Sequence, residues 1–96
     1  MDLDQFKQSL AAERPPAGLS ACLEALWRDG HGDWDGAHQC AQGESGADAA
    51  WVHAYLHRKE GDLSNADYWY RRAGRQRPDT PLSDEWEALV NEFLQS

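Results

Sequence analysis

The feature that most constrains the fold is a run of 30 residues, AAWVHAYLHRKEGDLSNADYWYRRAGRQRP at positions 49–78, that spells a helix, a tight turn and a second helix. In its first half Trp51, Val52, Tyr55 and Leu56 fall within about 140° of arc at helical spacing, a stripe wide enough to face a core. Ala50 and Ala54 lie on another face, where small side chains admit a neighbouring helix, so coverage on two sides is expected. Gly61 is free to take the positive φ that ends a helix, and Asp62 has the short carboxylate that caps the next one. In the second half Leu63, Ala66, Trp69, Tyr70 and Ala73 share the side expected to face inward, opposite Asp67, Tyr68, Arg71, Arg72 and Arg75. Gly74 and Pro78 close the unit, with positive charge near the negative end of the helix dipole. The pattern predicts helices over 49–59 and 63–74, packed antiparallel.

The preceding stretch, 19–46, repeats this grammar in weaker form. Leu19, Cys22, Leu23, Leu26 and Trp27 recur at three and four, with Ser20 placed to cap. Gly32-Asp33 then precedes Trp34 and Ala37 as Gly61-Asp62 precedes Leu63 and Ala66, an offset of 29 residues. At that offset Leu23 falls on Val52, Ala25 on Ala54, and Cys40 on Trp69. Helices over 19–29 and 34–42 follow, the second weakened by Gly36, which costs about 1 kcal/mol relative to alanine. Flanking them, residues 2–13 carry Leu3, Phe6 and Leu10 on one face and stop at Pro15-Pro16. Segment 80–95 offers Thr80 as N-cap, Pro81 as first helical residue, and a stripe of Leu82, Trp86, Leu89, Val90 and Phe93, which predicts a helix over 81–94. The expectation is a single all-α domain spanning 1–96: two antiparallel hairpins, read as degenerate repeats, with N- and C-terminal capping helices.

The Gly61-Asp62 turn, Ala66, Tyr70 and Ala73 in the second helix and Pro78 after it resemble one tetratricopeptide repeat. The piece Ala66-x-x-Trp69-Tyr70-x-x-Ala73 is similar to the second helix of the related SEL-like repeats. The run 49–78 is also similar to one in small bacterial proteins that bring no activity with them. His53 and His57 depart from the tetratricopeptide pattern, which has a leucine and an aromatic there, and Gly74 replaces a helix former. The resemblance implies a non-catalytic protein-interaction or scaffolding module, with a protein partner or a second copy of the chain on its surface.

Composition narrows the classes. Five tryptophans, three tyrosines and two phenylalanines give a 96-residue chain large pieces for one modest core. No apolar run approaches the ~20 residues of a membrane span, and the start, with Asp2, Asp4 and Lys7, does not read as a leader. Cys22 and Cys40 lack CxxC spacing and read as free thiols, which suits a cytoplasmic setting. Net charge is −8, which disfavours nucleic acid as a partner. Residues 53–77 nevertheless hold six of the nine basic groups.

Three constellations could carry chemistry. His53 and His57 stand four apart, the spacing at which two imidazoles share a zinc or nickel ion, with a third ligand from His31, His38, Glu60 or an aspartate. No glutamate follows His53, so the HExxH pattern is absent, and a plain core-edge role is the simpler alternative. At the repeat offset Glu24 and Arg28 occupy the places of these histidines, so Glu24, Arg28, His53 and His57 are expected along one groove. Tyr68, Arg71, Arg72 and Arg75 form a basic, aromatic patch suited to an anionic partner, or to internal pairing with Asp67 and the acidic segment 79–87. His31-x-Asp33-x-Asp35-Gly36 lacks the ligands of a calcium loop and reads as turn and cap. No phosphate loop, Ser-His-Asp set or catalytic carboxylate pair stands out, which leans away from an enzyme.

Overall fold

The computed structural model describes residues 1–95, which form six helices: α1 (Leu3–Ser9), α2 (Ala21–Gly30), α3 (Trp34–Gln42), α4 (Ala47–Glu60), α5 (Leu63–Arg72) and α6 (Leu82–Leu94). No strand occurs among the described residues, and no helix is long and apolar enough to cross a membrane. Helix α4 is the centre. Every side chain from Ala49 to His57 is buried, because α2, α3, α5 and α6 all pack on it. Leu23, Leu26 and Trp27 of α2 meet Val52, Tyr55 and Leu56 of α4 in one core, which Phe6, Tyr70, Leu89, Val90 and Phe93 complete.

The helix starts follow from local chemistry. Asp2 and Gln5 form a reciprocal capping box, while Ser20, Asp33 and Asp62 accept from the amides of Leu23, Gly36 and Asn65. Gly32 (φ 87°) and Gly61 (φ 92°) take the left-handed conformation between paired helices. The two turns close alike. Gly32 N bonds Asp29 O at 3.0 Å and Asp33 N bonds Arg28 O at 2.8 Å; Gly61 N bonds Arg58 O at 3.1 Å and Asp62 N bonds His57 O at 3.0 Å.

Several boundaries differ from those expected. Helix α1 stops at Ser9, short of residue 13, because the amides of Leu10, Ala11 and Ala12 bond back only three residues as the chain turns toward the prolines. Helix α4 starts earlier, at Ala47, directly after Gly46. Pro81, not Thr80, is the cap residue of α6, and the Thr80 carbonyl instead accepts from Arg58. Leu63 is 43% exposed rather than inward, being the first residue of α5 as it leaves the tight turn. Gly36 also has a positive role. A Cβ there would lie 2.2 Å from Asp33 Oδ2, so the glycine makes room for the cap of α3.

Two carboxylates are buried in the core, each 3% exposed. Asp29 accepts from Tyr55 Oη (2.7 Å) and Lys59 Nζ (2.8 Å), joining α2 to α4. Glu85 accepts from Tyr70 Oη (2.6 and 2.8 Å to its two oxygens), Trp51 Nε1 (3.2 Å) and an Arg58 nitrogen (2.9 Å), joining α6 to α4 and α5. Removing one partner of such a buried network strands the others, at a cost of about 3–5 kcal/mol. Glu85→Ala should therefore lower stability in urea by that amount, whereas Glu87→Ala, which breaks only the exposed Lys7 pair, should lower it by less than about 1 kcal/mol. Equal effects of the two would show that Glu85 is not a structural keystone.

Candidate metal centre

His53 and His57 project from α4 one turn apart, toward α3 and α5 rather than toward the carboxylates. Helix α3, set by the Gly32-Asp33 turn, brings His38 against them. Ring centroids lie 4.9 Å apart for His38–His53, 5.2 Å for His38–His57 and 5.8 Å for His53–His57. One ring nitrogen from each lies within 4.8 Å of the other two. Trp34 stacks on His38 (5.0 Å, 8°) and meets His57 edge-on, and Trp69 lies 4.2 Å from His53, so two indoles wall the cluster. His53 and His57 are buried and His38 is half-buried.

The polar surroundings are sparse. His57 Nδ1 lies 2.7 Å from Glu60 Oε1, and Asn65 Nδ2 lies 3.5 Å from His57 Nε2. A carboxylate only accepts, so the Nδ1 that faces Glu60 is a donor. His53 Nδ1 is buried without a hydrogen-bond partner. Burial, followed by the neighbouring His38 and His57, pulls the His53 pKa down to about 4. Burial, followed by His57, also lowers that of His38, against a smaller opposing effect of Glu60 and Asp35. Both rings are therefore neutral at pH 7, the form that binds metals.

Tetrahedral zinc, with nitrogens at about 2.0–2.1 Å, holds them about 3.4 Å apart, so ring shifts on the order of 1 Å would close this cluster on an ion. A second group, His57, Glu60 and Asp62, has equally close ligand atoms, but the Asp62 carboxylate already caps α5 and both acids are exposed. The imidazole set is the better donor. A 380 Å³ cavity bordered by Trp69, Arg72 and the start of α4 reaches the His53 edge of the cluster.

The other candidate residues are distributed differently. Glu24 and Arg28 pair with each other at 2.9 Å, with Cys40 Sγ 3.5 Å from Glu24, and no hydrogen bond or ion pair among the described residues joins them to the histidines. His31 stacks on Trp27 and bonds Ala12 O, away from the cluster. Arg72 lies over Trp69 (5.3 Å) and bonds Tyr68 Oη (3.0 Å), on the His53 side. Arg75 covers the Trp51 ring at 3.5 Å, on the opposite side. The internal pairing expected of the patch falls to Arg77, with Asp67 at 3.1 Å, and to Arg58, while Arg71, Arg72 and Arg75 have no carboxylate partner among the described residues. Cys22 and Cys40 are free; burial first, then nearby acids, pushes the Cys22 thiol up to about 11, so it stays protonated.

Sequence reasoning missed Asp29 and Glu85 as buried acceptors. The readable signal for Glu85 was its phase: three residues after Leu82 and four before Leu89, it stands inside the apolar stripe of α6. No family model matches the chain, and neither the curated proteins nor the solved structures contain a match to it.

The His53 shift predicts a pH dependence. An unfolded imidazole protonates near its ordinary 6.5 and His53 in the folded chain only near 4, so between these values the unfolded state binds more protons. Stability should be full above pH 6.5 and fall as pH drops toward 4. In chelator-treated protein, urea unfolding at pH 7 and pH 5 should differ by about 2 kcal/mol, and His53→Gln should remove most of the difference. An unchanged pH profile in that variant would contradict the assignment.

Proposed function

We propose that this protein binds a divalent transition-metal ion, zinc or nickel, through His38, His53 and His57. The observation that carries the reading is the convergence of three imidazoles from two helices, with ring nitrogens within 4.8 Å of one another, one of the rings holding a buried nitrogen that nothing else satisfies. Imidazole suits both metals, and three protein ligands leave a position open to water or to a further ligand. Glu60 on His57 Nδ1 supplies the outer-shell carboxylate that orients a ligating histidine. The aromatic walls limit water around the ion.

A second reading, a tetratricopeptide-like interaction module in the cytoplasm, draws support from the matching turn geometry at an offset of 29 residues. On that reading α2–α3 and α4–α5 are duplicated hairpins, α1 and α6 cover their ends, and exposed Leu63 and Tyr68 contact a protein partner or a second copy. The two readings are compatible, since α4 contributes its histidines whether or not its hairpin is one of a pair.

Native mass spectrometry of protein purified without chelator, followed by calorimetric titration with zinc, tests the metal reading. One ion per chain is expected. His38→Gln should weaken uptake as severely as His53→Gln, and Glu60→Gln should weaken it by about 10-fold. Zinc affinity that survives His38→Gln unchanged would reject the three-histidine site.

A further inference from the structure

We propose a second and separate binding site: the cavity between the end of α5 and the loop before α6 takes a small phosphate-type dianion, free or as a monoester. The cavity is an open cleft of about 590 Å³, within the size range of small-molecule sites. Four arginines line it, Arg58, Arg71, Arg75 and Arg77, against two aspartates, Asp67 and Asp79. Such a gathering is unusual in a chain of net charge −8.

The four guanidinium groups do not have the same duties. Arg58 is tied to Glu85 and to the Thr80 carbonyl, and Arg77 is paired with Asp67. Arg71 and Arg75 have no carboxylate partner among the described residues. Positive charge in a last turn complements the helix dipole, but Arg75 and Arg77 lie beyond α5, so the dipole does not account for the set. The guanidinium carbon of Arg75 lies 3.5 Å from the centre of the Trp51 ring, a cation–π contact that holds the group in place without using its N–H donors on a carboxylate. With Arg58 paired to Glu85 and Arg77 to Asp67, Arg71 and Arg75 bring two positive charges to a cavity whose one remaining carboxylate is Asp79.

A phosphate group matches this arrangement. It carries up to two negative charges, and its several oxygens can each accept from a different guanidinium fork. A nucleic-acid backbone fits poorly, because a chain of net charge −8 repels an extended polyanion. The site shares no lining residue with the histidine cluster and does not depend on a metal.

The test is calorimetric titration of the full chain, with chelator present and at low ionic strength, using inorganic phosphate and phenyl phosphate as probes. Saturable binding that weakens with added sodium chloride is expected. Equal affinity for the two probes would indicate free phosphate, and tighter phenyl phosphate a monoester. Arg71→Gln should reduce affinity at least about tenfold. Because Arg71 makes no other polar contact, this variant should keep the thermal melt of the parent chain, and Arg71→Gln/Arg75→Gln should abolish binding. Absence of phosphate binding at low salt, affinity unchanged in Arg71→Gln, or binding of duplex DNA without binding of either probe would each overturn the proposal.

Discussion

The rest of the structure depends on Glu85, a carboxylate placed inside the protein and hydrogen-bonded by three donors, the Tyr70 hydroxyl lying between its two oxygens. Taking an ion out of water is unfavourable by several kcal/mol, and only a complete set of partners offsets it. Tyr70, Trp51 and Arg58 supply that set from two helices, so α4, α5 and α6 can meet in only one register if the charge is to be satisfied. Asp29 repeats the device between α2 and α4 through Tyr55 and Lys59. Both tyrosine hydroxyls are held protonated by burial and by the carboxylates they serve. A chain this short has little apolar surface with which to specify one packing, and buried polar pairs at fixed places supply the missing specificity.

Helix α4 is thereby sorted by face. Trp51, Tyr55, Arg58 and Lys59 serve the carboxylates, Val52 and Leu56 fill the core, and His53 and His57 are left to point at α3 and α5. Because the first two faces are anchored, the histidines of α4 are held against His38. One buried His53 nitrogen is left there without a hydrogen-bond partner. Unsatisfied groups of this kind concentrate where a site has a task other than stability.

Much of this could be read in the chain. The glycine-aspartate turns and the helices themselves follow from local chemistry, and α3 starts and ends where Asp33 and Gly43 place it. The pair His53 and His57 was legible because both lie on one helix, whose periodicity alone fixes their spacing. His38 was only one of several third partners, since choosing among them needs the crossing of α3 over α4, a tertiary quantity. Glu24 and Arg28 were placed beside the histidines by the repeat offset, but their own attraction, together with Cys40, gives them a local solution. The arginine patch divided because Trp69 and Trp51, on different faces, each hold one guanidinium. Glu85 was hidden for another reason. At the start of a helix an acidic residue already has an explanation in the dipole, and its burial depends on partners far away in sequence.

The central claim is that three imidazoles, positioned by the two buried carboxylates, form one metal-binding unit. Long-range ¹H–¹⁵N spectra of the histidine rings, recorded before and after one equivalent of zinc, test it most directly. The account predicts that one nitrogen of each of His38, His53 and His57 moves to a metal-bound shift together, while His31 is unchanged. Zinc that perturbs His31 alongside the others, or that leaves His38 untouched, would contradict it.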